Sequence, residues 1–324
     1  MPGASLDTPL APDRRRLLKT MLLAGGAACA GAVPAEARAK KTPPSEAMGM
    51  LYDTTRCIGC KACVFACQEA NGLEPDTSLD GIHLAPLDLN GRTKNVIKLY
   101  HEGPRRSFVK SQCMHCVDPA CVSACMLGSL HKDETTGVVA YDPQYCVGCR
   151  YCQMACPFNV PKFEFDKAAP KIVKCELCAH RIQGAKLEKR DGFSRYPDGH
   201  GPACCEVCPR SAVIYGRRDE LLDEARRRIG ESPGKYHQDR VYGETEAGGT
   251  QVLYLAHVPY DKLGLPSYPD QGVPHVAYTV QEAIYKGFVA PVALYGVLAA
   301  VMLRNRRAAP RDESARDESE GGER

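Results

Sequence analysis

The 324 residues include 42 lysines and arginines against 39 aspartates and glutamates, with 44% hydrophobic and 25% charged residues. That is ordinary globular composition, with room for two or three small domains or one with long extensions. The net charge of +3 falls to +1 once the first 39 residues are set aside, which excludes the electrostatic footprint of a nucleic-acid-binding protein. Cysteine is the outlier: there are 18, clustered at two- and three-residue gaps in a chain too long to depend on disulfides, so they point to metal.

The chain begins with Asp13-Arg14-Arg15-Arg16-Leu17-Leu18-Lys19, then the apolar run Thr20–Val33, then Ala37-Arg38-Ala39. A charged segment, a 14-residue apolar segment and a small-residue site make a secretory leader rather than a membrane span. The paired arginines resemble a twin-arginine signal, a route that exports folded chains with their cofactors to the periplasm. Residues 1–39 are therefore expected to be a signal peptide, cleaved after Ala39 or, alternatively, after Ala37. Cys29 leaves with it, and Gly26 stands where a lipoprotein box needs a large aliphatic residue. An unfolded-chain route would deliver the remaining thiols bare to an oxidising compartment.

A β-like run, Met50–Asp53, precedes the first motif, Cys57-x2-Cys60-x2-Cys63-x3-Cys67, and Lys61–Asn71 reads as a short helix. Gly72–Arg106 reads as a Gly/Pro/Asp-rich insertion, followed by the β-like Phe108–Lys110. The second motif is Cys113-x2-Cys116-x4-Cys121-x3-Cys125. Leu130–Lys132 and Val138–Tyr141 read as a hairpin around Asp133–Gly137. The third motif, Cys146-x2-Cys149-x2-Cys152-x3-Cys156-Pro157, leads into a helix at Arg150–Ala155. The fourth is Cys175-x2-Cys178, then 25 residues, then Cys204-x3-Cys208-Pro209; its inner stretch Arg181–Pro202 reads as a basic loop. Val213–Gly216 is β-like and Arg217–Arg228 favours helix. Residues 231–283 read as a connecting segment. Gly287–Leu303 is 17 uncharged residues. With Lys286 snorkelling, it extends to a transmembrane helix over residues 284–303. Arg304, Arg306 and Arg307 follow, placing the polar tail 304–324 in the cytoplasm and residues 40–283 outside.

Two-residue gaps on a turning loop let three thiolates wrap three corners of a cubane, while the x3 cysteine points away to a neighbouring cluster. The third motif is the bacterial ferredoxin run, and the first lacks only the final proline, having Gln68. Sixteen ligands supply four [4Fe–4S] clusters. Separate tetrahedral zinc sites suit three closely spaced sulfurs plus an x3 fourth poorly. One cysteine is left over. Pro202-Ala203-Cys204-x3-Cys208 mirrors Pro119-Ala120-Cys121-x3-Cys125, which selects Cys204 as ligand and leaves Cys205 as a packed thiol. His115, between Cys113 and Cys116, reads as a packing residue or a cluster-tuning one. Lys174 and Arg181, flanking the fourth motif, read first as solvated charge and second as cations that raise a cluster potential electrostatically. His180, Tyr151 and Tyr196 carry no sharper assignment. The expected fold is α+β: two pseudo-symmetric bacterial-type 2[4Fe–4S] ferredoxin-like units with insertions over residues 40–230, plus one C-terminal transmembrane helix.

The motif order, Cys113-Met-His-Cys-x4-Cys121 and Tyr145-Cys-Val-Gly-Cys-Arg-Tyr-Cys152 resemble the four-cluster iron–sulfur subunits of periplasmic oxidoreductases over about residues 48–230. That family includes the beta subunits of formate dehydrogenase, dimethyl sulfoxide reductase and nitrate reductase. A leader combined with an anchor is most similar to the family's hydrogenase relay subunits. The resemblance implies ligand exchange between motifs. Cys57, Cys60 and Cys63 would join Cys208 around one cluster, and Cys175, Cys178 and Cys204 would join Cys67 around a second. Cys113, Cys116 and Cys121 would join Cys156 around a third, and Cys146, Cys149 and Cys152 would join Cys125 around a fourth. It also implies a non-catalytic electron relay between hydrogenase small and large subunits, or a molybdopterin catalytic subunit, and a quinone-reactive integral membrane subunit.

Overall fold

Strand β1 (Met48–Asp53) is buried along its whole length, and the architecture follows from covering both of its faces. The computed structural model describes residues 39–75, 86–182, 185–190, 193–275, 277–278, 291–292 and 294–304. On one side β1 pairs antiparallel with β10 (Val213–Arg217), from Met48 opposite Arg217 to Tyr52 opposite Val213. On the other it pairs parallel with β11 (Val252–Leu255), Met50 opposite Val252. Alternation then divides the side chains. Met48, Met50 and Tyr52 enter the main core with Val64, Val96, Val109 and Tyr254. Leu51 points the other way, into a cluster with Leu221, Leu222, Ala225 and Leu253. Leu221, Leu222 and Ala225 lie on α6 (Arg218–Glu231), which covers that face. Each such side chain contributes about 1.5–3 kcal/mol by leaving water.

β1 ends at Asp53, which is fully buried. Its Oδ2 accepts from Arg228 Nη1 and from Tyr236 Oη, both at 3.2 Å, and its Oδ1 accepts from the Thr55 N–H at 3.0 Å. The buried ion pair thus ties α6 to the chain where it turns into the first cysteine motif.

The sequence-predicted elements form, with ends shifted by one to three residues. Helices α1 (Ala62–Ala70), α2 (Ala120–Ser123), α3 (Tyr151–Ala155), α4 (Ala179–Ile182) and α5 (Ala203–Glu206) each sit beside a cysteine motif. β4 (Leu130–Lys132) and β5 (Val139–Tyr141) make the expected hairpin. Three segments differ. Gly72–Arg106 is not an irregular insertion, because β2 (Asn95–Glu102) lies in it and pairs antiparallel with β3 (Arg105–Gln112). The turn is Gly103-Pro104, with Gly103 at φ +59°. Only the inner end of β2 is buried, at Val96 and Ile97, so the period-two signal fades halfway along it. Within Arg181–Pro202, β8 (Glu188–Arg190) pairs with β9 (Phe193–Arg195). Residues 252–255, placed by sequence in a connecting segment, supply the third strand of the central sheet. A short pair, β6 (Lys162–Phe163) with β7 (Ile172–Val173), completes the strands.

Residues 39–275 form one compact unit. The other is residues 1–38 with 276–324; its described residues, 277–278, 291–292 and 294–304, are helical. Among the described residues no helix is long and apolar enough to cross a membrane. Residues 1–38 of the expected leader, residues 284–290 and 293 of the expected span, and the tail from 305 lie outside the described residues.

Candidate iron–sulfur site

Each Cys-x2-Cys turn needs the chain to fold sharply so that two sulfurs face the same side. In all four motifs the second intervening residue takes positive φ: Gly59 +71°, His115 +47°, Gly148 +71° and Leu177 +52°. Glycine adopts this without strain; histidine and leucine do so at about 1–3 kcal/mol each, held by their surroundings. Lys61 (φ +56°) and Arg150 (φ +66°) repeat the device one residue after the second cysteine, where α1 and α3 begin. The turns aim N–H groups at sulfur: Gly59 N to Cys57 Sγ (3.4 Å) and Leu177 N to Cys175 Sγ (3.4 Å). Ala212 N donates to Cys208 Sγ (3.3 Å) and Leu130 N to Cys125 Sγ (3.5 Å). Such bonds favour thiolate over thiol.

A Cβ on Gly59 would stand 2.3 Å from the Phe108 ring. Gly59→Ala is therefore expected to lower stability by about 1–3 kcal/mol and to release iron from the first motif ahead of the others. Iron retention against urea under anaerobic conditions measures this, and a wild-type release profile would count against it.

The 17 cysteines of the described residues form no disulfide, and all but Cys205 gather into four sets of four. Cys57, Cys60, Cys63 and Cys208 line one pocket together with Tyr52 and Ile97. Cys175 lies within electrostatic reach of Cys67, Cys204 and Cys178. Cys116 lies likewise by Cys113, Cys156 and Cys121, and Cys152 by Cys149, Cys125 and Cys146. Electrostatic reach between sets gives them an order: Cys63 lies within reach of Cys204, Tyr254 within reach of both Cys175 and Cys113, and Cys121 within reach of Cys152. Exposure follows that order. Cys60 and Cys149 are exposed at the two ends, whereas Cys67, Cys175, Cys178 and Cys204 are all buried.

Burial pushes the Cys63 and Cys121 thiols up to about 12 and those of Cys67 and Cys152 up to about 11. Iron must displace these protons, so its binding strengthens as pH rises toward those values. Among the described residues no three Cys, His, Asp or Glu side chains converge on the space of a single ion; a cubane spreads its four irons over a wider frame.

His115 tests the fit to such a cluster. It is fully buried, and the Val139 N–H donates to its Nδ1 at 3.0 Å, which leaves the proton on Nε2. That buried N–H finds no hydrogen-bond acceptor. Flanked by Cys113 and Cys116, it is a donor of the kind that cluster sulfide accepts from. Burial and the nearby Lys174 and Lys132 cations hold the imidazole neutral.

Lys174 is not the solvated charge expected: it is 2% exposed and donates to the carbonyls of Val139 and Cys175. Arg181 donates to Glu206 Oε2 at 2.8 Å, and His180 lies 2.8 Å from the Ala70 carbonyl. Tyr151 is exposed, and Tyr196 stacks on Tyr215 at 6.2 Å. Sequence reasoning passed over Lys110 and Lys132. Lys132 Nζ bonds the Cys116 and Gly137 carbonyls at 2.8 and 2.7 Å, with burial pulling it down to about 8. Neither lysine belongs to a motif, and an isolated lysine in a strand carries no signal of burial.

The 4Fe–4S dicluster domain family matches residues 49–126 and, in a second form, residues 105–218. The chain is 38% identical to the hydrogenase-2 operon protein HybA of Escherichia coli O157:H7, covering 91% of this chain and 96% of that protein. It is 30% identical to the iron–sulfur subunit of the nitrate-inducible formate dehydrogenase of Escherichia coli K12, over 80% of this chain and 85% of the subunit. The formate dehydrogenase iron–sulfur subunit of Haemophilus influenzae is 29% identical, over 75% and 74%.

Proposed function

The chain belongs to the 4Fe–4S dicluster iron–sulfur proteins that include HybA, and from that premise we propose that it is the electron relay between a hydrogenase catalytic module and a quinone-reactive membrane subunit. Cys57, Cys60, Cys63 and Cys208 hold the first of four [4Fe–4S] clusters; Cys67, Cys175, Cys178 and Cys204 hold the second. Cys113, Cys116, Cys121 and Cys156 hold the third; Cys125, Cys146, Cys149 and Cys152 hold the fourth. Each cluster, when bound, takes up and gives off one electron. The chain spaces the four thiol sets in one row, keeps water from the middle and exposes a thiol at either end. The observation that carries the relay reading is this gradient, with Cys60 and Cys149 exposed and the whole second set buried. A chain that turned over a substrate itself needs an open site, and every motif cysteine here falls into a complete set of four. The subunit is accordingly non-catalytic.

The arginine-paired leader and the apolar segment 284–303 support export by the twin-arginine route, residence on the periplasmic face and a single C-terminal anchor. The identity to formate dehydrogenase subunits supports a second reading, service to a molybdopterin enzyme. Elemental analysis of the complex, purified anaerobically from detergent-solubilised membranes, tests both. About 16 iron atoms per copy of this chain, beyond those of its partners, are expected, with nickel. Molybdenum or tungsten instead of nickel would replace hydrogenase with the second reading, and zinc in place of iron would refute the relay.

A further inference from the structure

Lys110, on β3, has 1% of its surface exposed. Its ammonium donates to Gln112 Oε1, and the amide Nε2 of Gln112 in turn donates to Met50 Sδ at 3.2 Å. The Lys110 carbonyl accepts from Tyr254 Oη at 2.7 Å, which fixes the strand beneath it. Among the described residues no carboxylate pairs with the charge. Its neighbours are thiols: Cys204, Cys63, Cys175 and Cys67. Cys63 belongs to the first set and the other three to the second.

A buried ammonium with one neutral hydrogen-bond partner is costly to desolvate. It becomes favourable only if its surroundings carry negative charge, as four thiolates on an iron–sulfur cluster do. Burial by itself disfavours the reduced, more negative state of a cluster, and does so most in the second set, where every cysteine is buried. A fixed cation stabilises that state. Other cations lie nearby: the buried Lys61 lines the pocket of the first set, Lys94 and Arg181 act on Cys178 of the second, and the half-buried Lys132 and buried Lys174 act on the third; Lys110 reaches cysteines of both the first set and the second.

We propose that Lys110 is the buried charge that raises the reduction potentials of the first and second clusters together, matching the two for electron exchange. This rests on the relay reading above. Lys110→Met removes the charge at nearly constant volume, and Gln112→Glu cancels it while keeping the lysine in place. Redox titration of the anaerobic complex followed by electron paramagnetic resonance, with iron counted in the same samples, is the test. The two signals lost or altered in Cys208→Ser and Cys204→Ser identify the clusters concerned. Each should become about tenfold harder to reduce in Lys110→Met, equivalent to 59 mV for one electron, and should shift the same way in Gln112→Glu. The other two midpoints should stay in place, and Lys110→Arg should keep all four. Full iron with unchanged potentials, or an equal shift in all four clusters, would overturn the proposal. So would loss of iron in both variants with wild-type potentials in the clusters that remain, which would assign Lys110 to folding alone. Wild-type protein without iron would instead sink the relay reading itself.

Discussion

Cys204→Ser is expected to lose about a quarter of the chain's iron, and Cys205→Ser to keep all of it. The two cysteines are adjacent on α5, and both thiols lie within reach of Cys178. Only Cys204 also faces Cys67 and Cys175, which completes a set of four. The pair is polarised. Cys205 donates its S–H to the Cys204 sulfur, and that bond, with the nearby Lys110 cation, holds Cys204 below the ordinary thiol range despite burial. Cys205, half-buried and beside that sulfur, is pushed up by desolvation and by its neighbour and keeps its proton. A thiolate receiving a hydrogen bond is ready to bind iron, while the protonated donor supports it from behind. Serine at 205 retains a donor, whereas serine at 204 offers a far more basic oxygen. Iron and acid-labile sulfide counted on both variants decide the matter, and equal loss in both would reverse the assignment.

Much of this was legible because cluster ligation writes itself into spacing. The four motifs, the helix after each loop and the β4–β5 hairpin follow from local geometry: two-residue gaps, turn residues and short apolar runs. Gly59 and Gly148 announce their left-handed turns. His115 and Leu177 adopt the same backbone without announcing it, since tertiary contacts hold them there. The remaining differences are long-range. β11 reaches β1 across some 200 residues as its parallel partner, and no local pattern specifies such a pairing. Val252–Leu255 is buried on both faces, so it also lacks the alternation of a half-buried strand. Lys110 and Lys174 are hidden for a related reason: an ammonium belongs in the interior only if negative charge awaits it, and that charge comes from cysteines far away in sequence.

Arg218→Met is expected to lower stability by about 3–5 kcal/mol and to loosen the third cluster before the others. Arg218 is the first residue of α6 and is buried. Its Nε donates to the Thr250 carbonyl at 2.7 Å, and its Nη2 to those of Glu244 at 3.2 Å and Gly243 at 3.4 Å. These carbonyls belong to the glycine-rich turn that folds back through Thr250 N to Gly243 O at 2.7 Å. Methionine fills the volume but takes the arginine donor from the Thr250 and Glu244 carbonyls, while the Gly243 carbonyl keeps the Thr250 N–H. The consequence travels along the backbone. Thr250 bridges Cys116, the Val117 N–H donates to the Gly249 carbonyl at 2.9 Å, and the Gln251 N–H donates to the Met114 carbonyl at 3.1 Å. The turn held by Arg218 is therefore the wall against which the Cys113–Cys116 loop is built. Lysine at 218 restores charge but presents a point donor where three carbonyls are spread around a planar fork, so it should recover only part of the loss. Thermal scans at one fixed rate, read alongside the resonance signal altered in Cys121→Ser, measure both effects. The expected fall in the unfolding midpoint is about 6–20 °C, with that signal disappearing first. A fall under about 2 °C, or simultaneous loss of all signals, would mean that the turn stands without the arginine and that the third cluster's loop draws its rigidity from elsewhere.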